Sequence, residues 1–118
     1  MGNRSSSSKG TSMVKYVESD GEWMELMEQS KEKLVVVDFT ASWCGPCRMI
    51  APHFESMSAE YASNAIFVKV DVDAMDKLAQ KCGIRAMPTF QFYKNGEKVD
   101  EFSGADIATL KEKVSALV

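Results

Sequence analysis

The sequence predicts a single α/β domain in which a central mixed sheet is flanked by helices. Three observations carry this expectation. Short β-branched runs alternate with segments of helical period, the pattern of parallel crossover units. An Asn-Gly pair near the C-terminal end joins two further strand-like runs and marks a hairpin, because both residues tolerate positive φ. A length of 118 residues suits one domain, and 45% hydrophobic with 26% charged residues suits a buried core without staples.

Residues 1–12 read as a disordered tail, since Ser5 to Ser8 lie between Gly2 and Gly10 and offer nothing to bury. Residues 13–118 form the predicted domain, opening with a β-prone run at Met13–Val17. Asp20 is the expected N-cap of a helix reaching Ser30, with Trp23, Leu26 and Met27 on its inner face. Leu34–Thr40 is a continuous apolar run interrupted only by Asp38, as in a strand buried on both faces. Helical spacing follows from Cys44 to about Tyr61, with Pro52 removing one backbone hydrogen bond and expected to kink the helix. Ala65–Val72 is a second β-branched run, and Ala74–Cys82 a short helix ending at Gly83. Thr89–Tyr93 and Lys98–Phe102 are the hairpin strands, and Asp106 caps a last helix that ends near Val118. The expected total is five strands and four helices.

Composition excludes several classes of function. A formal net charge of -3 and the lack of a Lys/Arg stripe argue against nucleic-acid binding. No apolar run approaches the roughly 18–20 residues that span a bilayer. The first dozen residues lack the apolar stretch of a secretory signal, so the expected compartment is the reducing cytoplasm. Three cysteines cannot all pair within one chain, which turns attention to Cys44-Gly45-Pro46-Cys47.

A pair of cysteines two residues apart, where a buried strand gives way to a helix, has a specific physical meaning. The helix start offers unpaired N–H groups and the positive end of its dipole to the first sulfur, which favours thiolate over thiol. Thiol pKa values in such settings fall to anywhere from roughly 3.5 to 7.5. Cys44, expected to be exposed at the helix start, is the candidate nucleophile; Cys47, nearly one turn later and facing inward, is the candidate resolving thiol. Zinc is the competing reading, because Cys44, Cys47, His53 and Cys82 supply enough ligands. Zinc knuckles, however, come from turns between short strands and not from the start of a long amphipathic helix, and we expect no metal.

The segment Phe39-Thr40-Ala41-Ser42-Trp43-Cys44-Gly45-Pro46-Cys47 resembles the active-site segment of thioredoxins. The likeness runs from Val14 to Val118 and includes Asp38, Pro52, Lys69, Met87-Pro88-Thr89, Asn95-Gly96 and Gly104-Ala105 in the same order. It is similar to cytosolic thioredoxins, both animal and plant h-class. The resemblance implies the thioredoxin fold and a protein-disulfide reductase that cycles a Cys44–Cys47 disulfide. It implies that Asp38, whose pKa burial among Val35, Val36, Val37 and Phe39 should raise, exchanges a proton with Cys47. It also implies that Lys69 supports that acid and that the Met87–Pro88 bond is cis. Trp43, Gly45, Pro46, Ala86, Met87, Pro88, Gly104 and Ala105 would form the substrate-binding surface. No bound cofactor is implied: no G-x-G-x-x-G follows a strand, and electrons would come from NADPH through a thioredoxin reductase. The other implied partners are disulfide-containing proteins, with the chain itself a monomer serving electron transport and cell redox homeostasis.

Two alternatives stand beside this reading. Gly45-Pro46 matches reducing members of the family, whereas secretory isomerases usually carry Gly-His, so an isomerase or oxidant is the rival enzyme. A redox-gated binding module is the rival of another class, and a partner retained after both cysteines become serine would favour it. Cys82 reads as a small structural hydrophobe. The cysteine that some animal members carry before Met-Pro is Ala86 here, and His53 has no expected role. Met1-Gly2-Asn3-Arg4-Ser5-Ser6 fits an N-myristoylation pattern at Gly2, which with Arg4 and Lys9 alone would give only weak, reversible membrane association.

Overall fold

The computed structural model describes residues 12–118; nearly all of the expected tail, with Gly2, lies outside them. Along the chain run β1 (Lys15–Tyr16), α1 (Asp20–Gln29), β2 (Leu34–Thr40), α2 (Gly45–Glu60) and β3 (Ala65–Asp71). They are followed by α3 (Asp76–Lys81), β4 (Thr89–Lys94), β5 (Glu97–Ser103) and α4 (Ile107–Leu117). The described residues form a five-stranded sheet in the order β1-β3-β2-β4-β5. β1, β3 and β2 are parallel, whereas β4 runs antiparallel to β2 and β5 antiparallel to β4. This is the mixed sheet that the sequence predicts.

Side-chain alternation on β2 divides the core in two. Leu34 and Val36 pack with Ile50, Phe54 and Met57 of α2, with Phe67, Phe90 and Phe92 of the sheet, and with Leu110 and Val114 of α4. Val35, Val37 and Phe39 pack on the other face with Leu26 of α1, Leu78 of α3 and the half-buried Trp23. All seven residues of β2 are buried, which explains its nearly unbroken apolar run. Phe54 anchors the first layer, with ring centroids 5.2 Å from Phe67 and 5.7 Å from Phe90. Complete burial of such a side chain contributes about 1.5–3 kcal/mol.

Element ends differ from the sequence reading in ways that local chemistry explains. The N-cap of α1 is Ser19, not Asp20: the extended backbone of Ser19 aims its hydroxyl at the Glu22 N–H, 3.1 Å away. Asp20 falls instead in the first turn, where its charge suits the helix dipole. α2 continues through Pro52 to Glu60. β1 shrinks to two residues, and α3 starts two residues after Ala74. The hairpin turn is just Asn95-Gly96, with φ of 54° and 77°, so β4 and β5 pair up to Lys94 and Glu97. Asp106 caps α4 as expected, accepting from the Thr109 N–H at 3.0 Å.

Candidate active site

The central strand β2 delivers the chain to the start of α2 through a tight loop. The Cys44 N–H donates to the Ala41 carbonyl at 3.1 Å, and Arg48 reaches back to donate to the Ser42 carbonyl at 2.8 Å. Cys44 is the N-cap of α2, and its sulfur accepts from the Cys47 N–H at 3.2 Å. The two sulfurs are joined as a disulfide, with Cα atoms 5.3 Å apart. The expectation that Cys44 is exposed is corrected, because it retains 5% of its accessible surface and Cys47 3%. Ala41, Val72 and Met87 pack around the pair and cover it. Exposure therefore does not separate the two thiols, but their places at the helix terminus differ: Cys44 is the cap and Cys47 lies within the first turn. The capping sulfur of Cys44 takes one of the orphan N–H groups of the helix start, that of Cys47, and the Met87 carbonyl oxygen is 3.8 Å from it.

Asp38 is 1% exposed, and neither carboxylate oxygen has a hydrogen-bond partner among the described residues. Alternation along β2 puts it on the same face as Val36, the face that α2 covers. Desolvation pushes its pKa up to about 7, against the opposing pull of the Lys69 charge. Lys69 sits opposite Asp38 on β3 and is itself buried. Its ammonium, however, lies 3.7 Å from Glu55 of α2 and 5.9 Å from the centre of the Tyr16 ring. The link from Lys69 to Asp38 is thus the reach of a charge and not a contact. Glu55 is a partner that the sequence reading missed.

Around the disulfide, Trp43 is 63% exposed, and its indole N–H donates to Asp73 at 2.8 Å. Asp73 was also missed; its only local signal is the Asp71-Val72-Asp73 turn, where Asp71 accepts from the Asp73 and Ala74 N–H groups. Pro46 and Ala86 are exposed and Gly45 and Met87 half-buried, so these with Trp43 form the outer face. The Met87–Pro88 bond is cis. Pro88 is buried, and its carbonyl accepts from the Gly104 N–H at 2.8 Å. Gly104 has a φ of 105°, a conformation that disfavours any side chain there. Ala105 is half-buried and packs against the α2 core layer.

The other candidates lie apart. Cys82 caps the C-terminal end of α3 and packs in the opposite core layer, where burial pushes its thiol pKa up. His53 is exposed on α2. Among the described residues no group of three or more His, Cys, Asp or Glu side chains is placed to hold a metal ion. A cavity of about 730 Å³ opens between β1 and α1, lined by Tyr16, Glu22, Leu26 and Val68, and no candidate site residue borders it. Among the described residues no helix is long and apolar enough to cross a membrane.

Comparison with known proteins agrees with this geometry. The thioredoxin family model matches residues 14–116. Thioredoxins of Equus caballus and Homo sapiens are each 51% identical over 106 residues, covering 90% of this chain and 100% of the relative. Reduced Schistosoma mansoni thioredoxin pre-protein superposes with a TM-score of 0.83 at 50% identity, covering 91% of this chain and 100% of that one. A thioredoxin of Nicotiana alata superposes with a TM-score of 0.84 at 42% identity, covering 94% and 97%. The chain belongs to the thioredoxin family and is a protein-disulfide reductase whose redox-active pair is Cys44 and Cys47.

Proposed function

We propose that Cys44 is the attacking nucleophile, Cys47 the resolving thiol and Asp38 the group that takes up the Cys47 proton. The observation that carries this division of labour is the disulfide at the N-terminus of α2, the helix that covers the face of β2 on which Asp38 lies buried and without a partner. The Cys44 thiolate, favoured by the helix terminus, attacks one sulfur of a substrate disulfide. A mixed disulfide forms on Cys44, and the first substrate thiolate leaves. Asp38 carboxylate accepts the proton of Cys47, whose thiolate then attacks the Cys44 sulfur. The Cys44–Cys47 disulfide re-forms, and the second substrate thiolate departs. Two electrons have passed from the dithiol to the substrate.

Trp43, Gly45, Pro46 and Met87 serve as the substrate surface, with Pro88, Gly104 and Ala105 holding its shape. The backbone of Met87, next to the Cys44 sulfur, suits strand-like pairing with an extended substrate segment. Electrons return from NADPH through a thioredoxin reductase, and the chain acts as a cytoplasmic monomer in redox homeostasis. Lys69 supports Asp38 through its charge. Acylation at Gly2, outside the described residues, would add only weak, reversible membrane contact, and intact mass from a eukaryotic source tests it.

A coupled assay with thioredoxin reductase, NADPH and insulin tests the central scheme. Cys44→Ser abolishes turnover. Cys47→Ser leaves Cys44 open to alkylation and accumulates covalent mixed disulfides. Equal alkylation rates for the two thiols of the reduced wild-type chain at neutral pH would overturn the assignment.

A further inference from the structure

Lys69 occupies the middle of a row across the sheet. Asp38 of β2 is its register partner on one side and Tyr16 of β1 on the other. A lysine stem of four carbons could turn its ammonium either way. It turns from Asp38: the ammonium stands over Tyr16 and 3.7 Å from Glu55, while the Asp38 oxygens stay without partners. The Lys69 side chain keeps 9% of its exposure and that of Glu55 45%, so the ammonium is buried while its carboxylate partner reaches water. Among the described residues, β4 presents Phe90 opposite Asp38, α4 presents Leu110 and Val114 to this side, Cys47 of α2 is held in the disulfide, and the phenol of Tyr16 is the remaining titratable group of the row.

We propose that Glu55 is a positioning residue that holds the Lys69 ammonium away from Asp38, leaving the buried carboxyl unpaired and free to exchange a proton. The inference rests on Asp38 acting as the proton acceptor described above. An Asp38 carboxylate clamped by an ammonium in a low-dielectric site is stabilised as the anion and becomes a weaker base. An unpaired one retains its proton to near neutrality, which is consistent with its raised pKa. Glu55 thus sets how strongly Asp38 can draw the Cys47 proton, although it touches neither group.

The test follows the carbon-13 shift of the Asp38 carboxyl through a pH titration of the full oxidised chain, with Glu55→Gln as the variant. Gln keeps the shape of a half-exposed side chain and removes its charge. The expected result is a fall of the Asp38 midpoint by about one pH unit, as the ammonium swings to the carboxylate. In a Lys69→Met background (or Lys69→Gln, should the first not fold), Glu55→Gln should move the midpoint little. An unchanged midpoint in the single variant overturns the proposal. So does an equal fall in the absence of Lys69, which would make Glu55 a plain through-space charge. The pH dependence of mixed-disulfide release by Cys47 separates the two layers of inference. A midpoint that falls while that profile stays put supports the positioning role and sinks the proton-acceptor role of Asp38.

Discussion

Asp38 concentrates the conflict between stability and chemistry in one side chain. Its folded pKa of about 7 lies above the unfolded value of about 3.9, so the native state keeps a proton that the unfolded chain releases between those values. Stability therefore falls as pH rises from about 4 through about 7 and levels off above. A shift of this size corresponds to about 4 kcal/mol once the group is fully ionised. Asp38→Asn removes the charge at nearly constant shape and leaves a neutral group as partnerless as the protonated acid it replaces, so the desolvation costs of amide and acid nearly cancel. The variant is expected to be about 4 kcal/mol more stable than wild type at pH 8, with little difference at pH 4. Denaturant unfolding at both values checks this. Equal stability at pH 8 would mean that the folded carboxylate is well paired. The same variant should slow release of a mixed disulfide, since Cys47 loses its proposed proton acceptor.

At the scale of the element, α2 ties catalysis to helix capping. Cys44 is at once the proposed nucleophile and the N-cap, with its sulfur accepting from the Cys47 N–H. A serine hydroxyl caps a helix well, whereas alanine cannot. In the reduced state, Cys44→Ser should abolish activity at nearly unchanged stability, and Cys44→Ala should abolish activity and cost about 1 kcal/mol. Unfolding of both variants against the reduced wild type decides it, and equal losses would show that the sulfur contributes nothing to the cap. The other end of the sheet has a similar device. Ser30 is buried after α1, accepts from the Gly96 N–H at 2.8 Å through its hydroxyl, and accepts from the Asn95 N–H at 2.8 Å through its carbonyl. Removing the hydroxyl in Ser30→Ala should cost about 1 kcal/mol and loosen the hairpin, seen as faster hydrogen exchange at Gly96.

For the whole molecule, one sheet carries two core layers, so damage to either must be felt by both. Phe54 lies wholly within the α2 layer, and the half-buried Trp23 packs edge-on to Tyr93 in the other. Phe54→Ala should cost about 3–5 kcal/mol. Trp23→Ala should cost less, and each should shift one cooperative transition without splitting it. Thermal unfolding followed by both circular dichroism and Trp fluorescence tests this for Phe54→Ala. Two transitions would show that the layers melt separately. Because the disulfide packs in its own small cluster with Ala41, the folded fraction of Phe54→Ala should keep its reductase activity.

Features determined by near neighbours in the chain were legible from sequence. β-branched runs, the Asn95-Gly96 turn and Asp106 before an apolar helix each express backbone preferences over a few residues. Cys44 and Cys47 were legible for the same reason: their chemistry depends on a strand ending and a helix beginning within a short segment. Asp38 declared itself as one acid inside an apolar run, and its burial was foreseeable because a strand covered on both faces leaves no route to water. Tertiary structure alone decided what these groups meet. Met87 and Val72 close over Cys44, Asp73 reaches Trp43, and Glu55 pairs with Lys69. Each of these contacts joins separate elements across the fold, and its geometry depends on how helices settle on the sheet. No local preference encodes that, because burial and charge are properties of the assembled surroundings, whereas propensity belongs to the residue and its immediate neighbours.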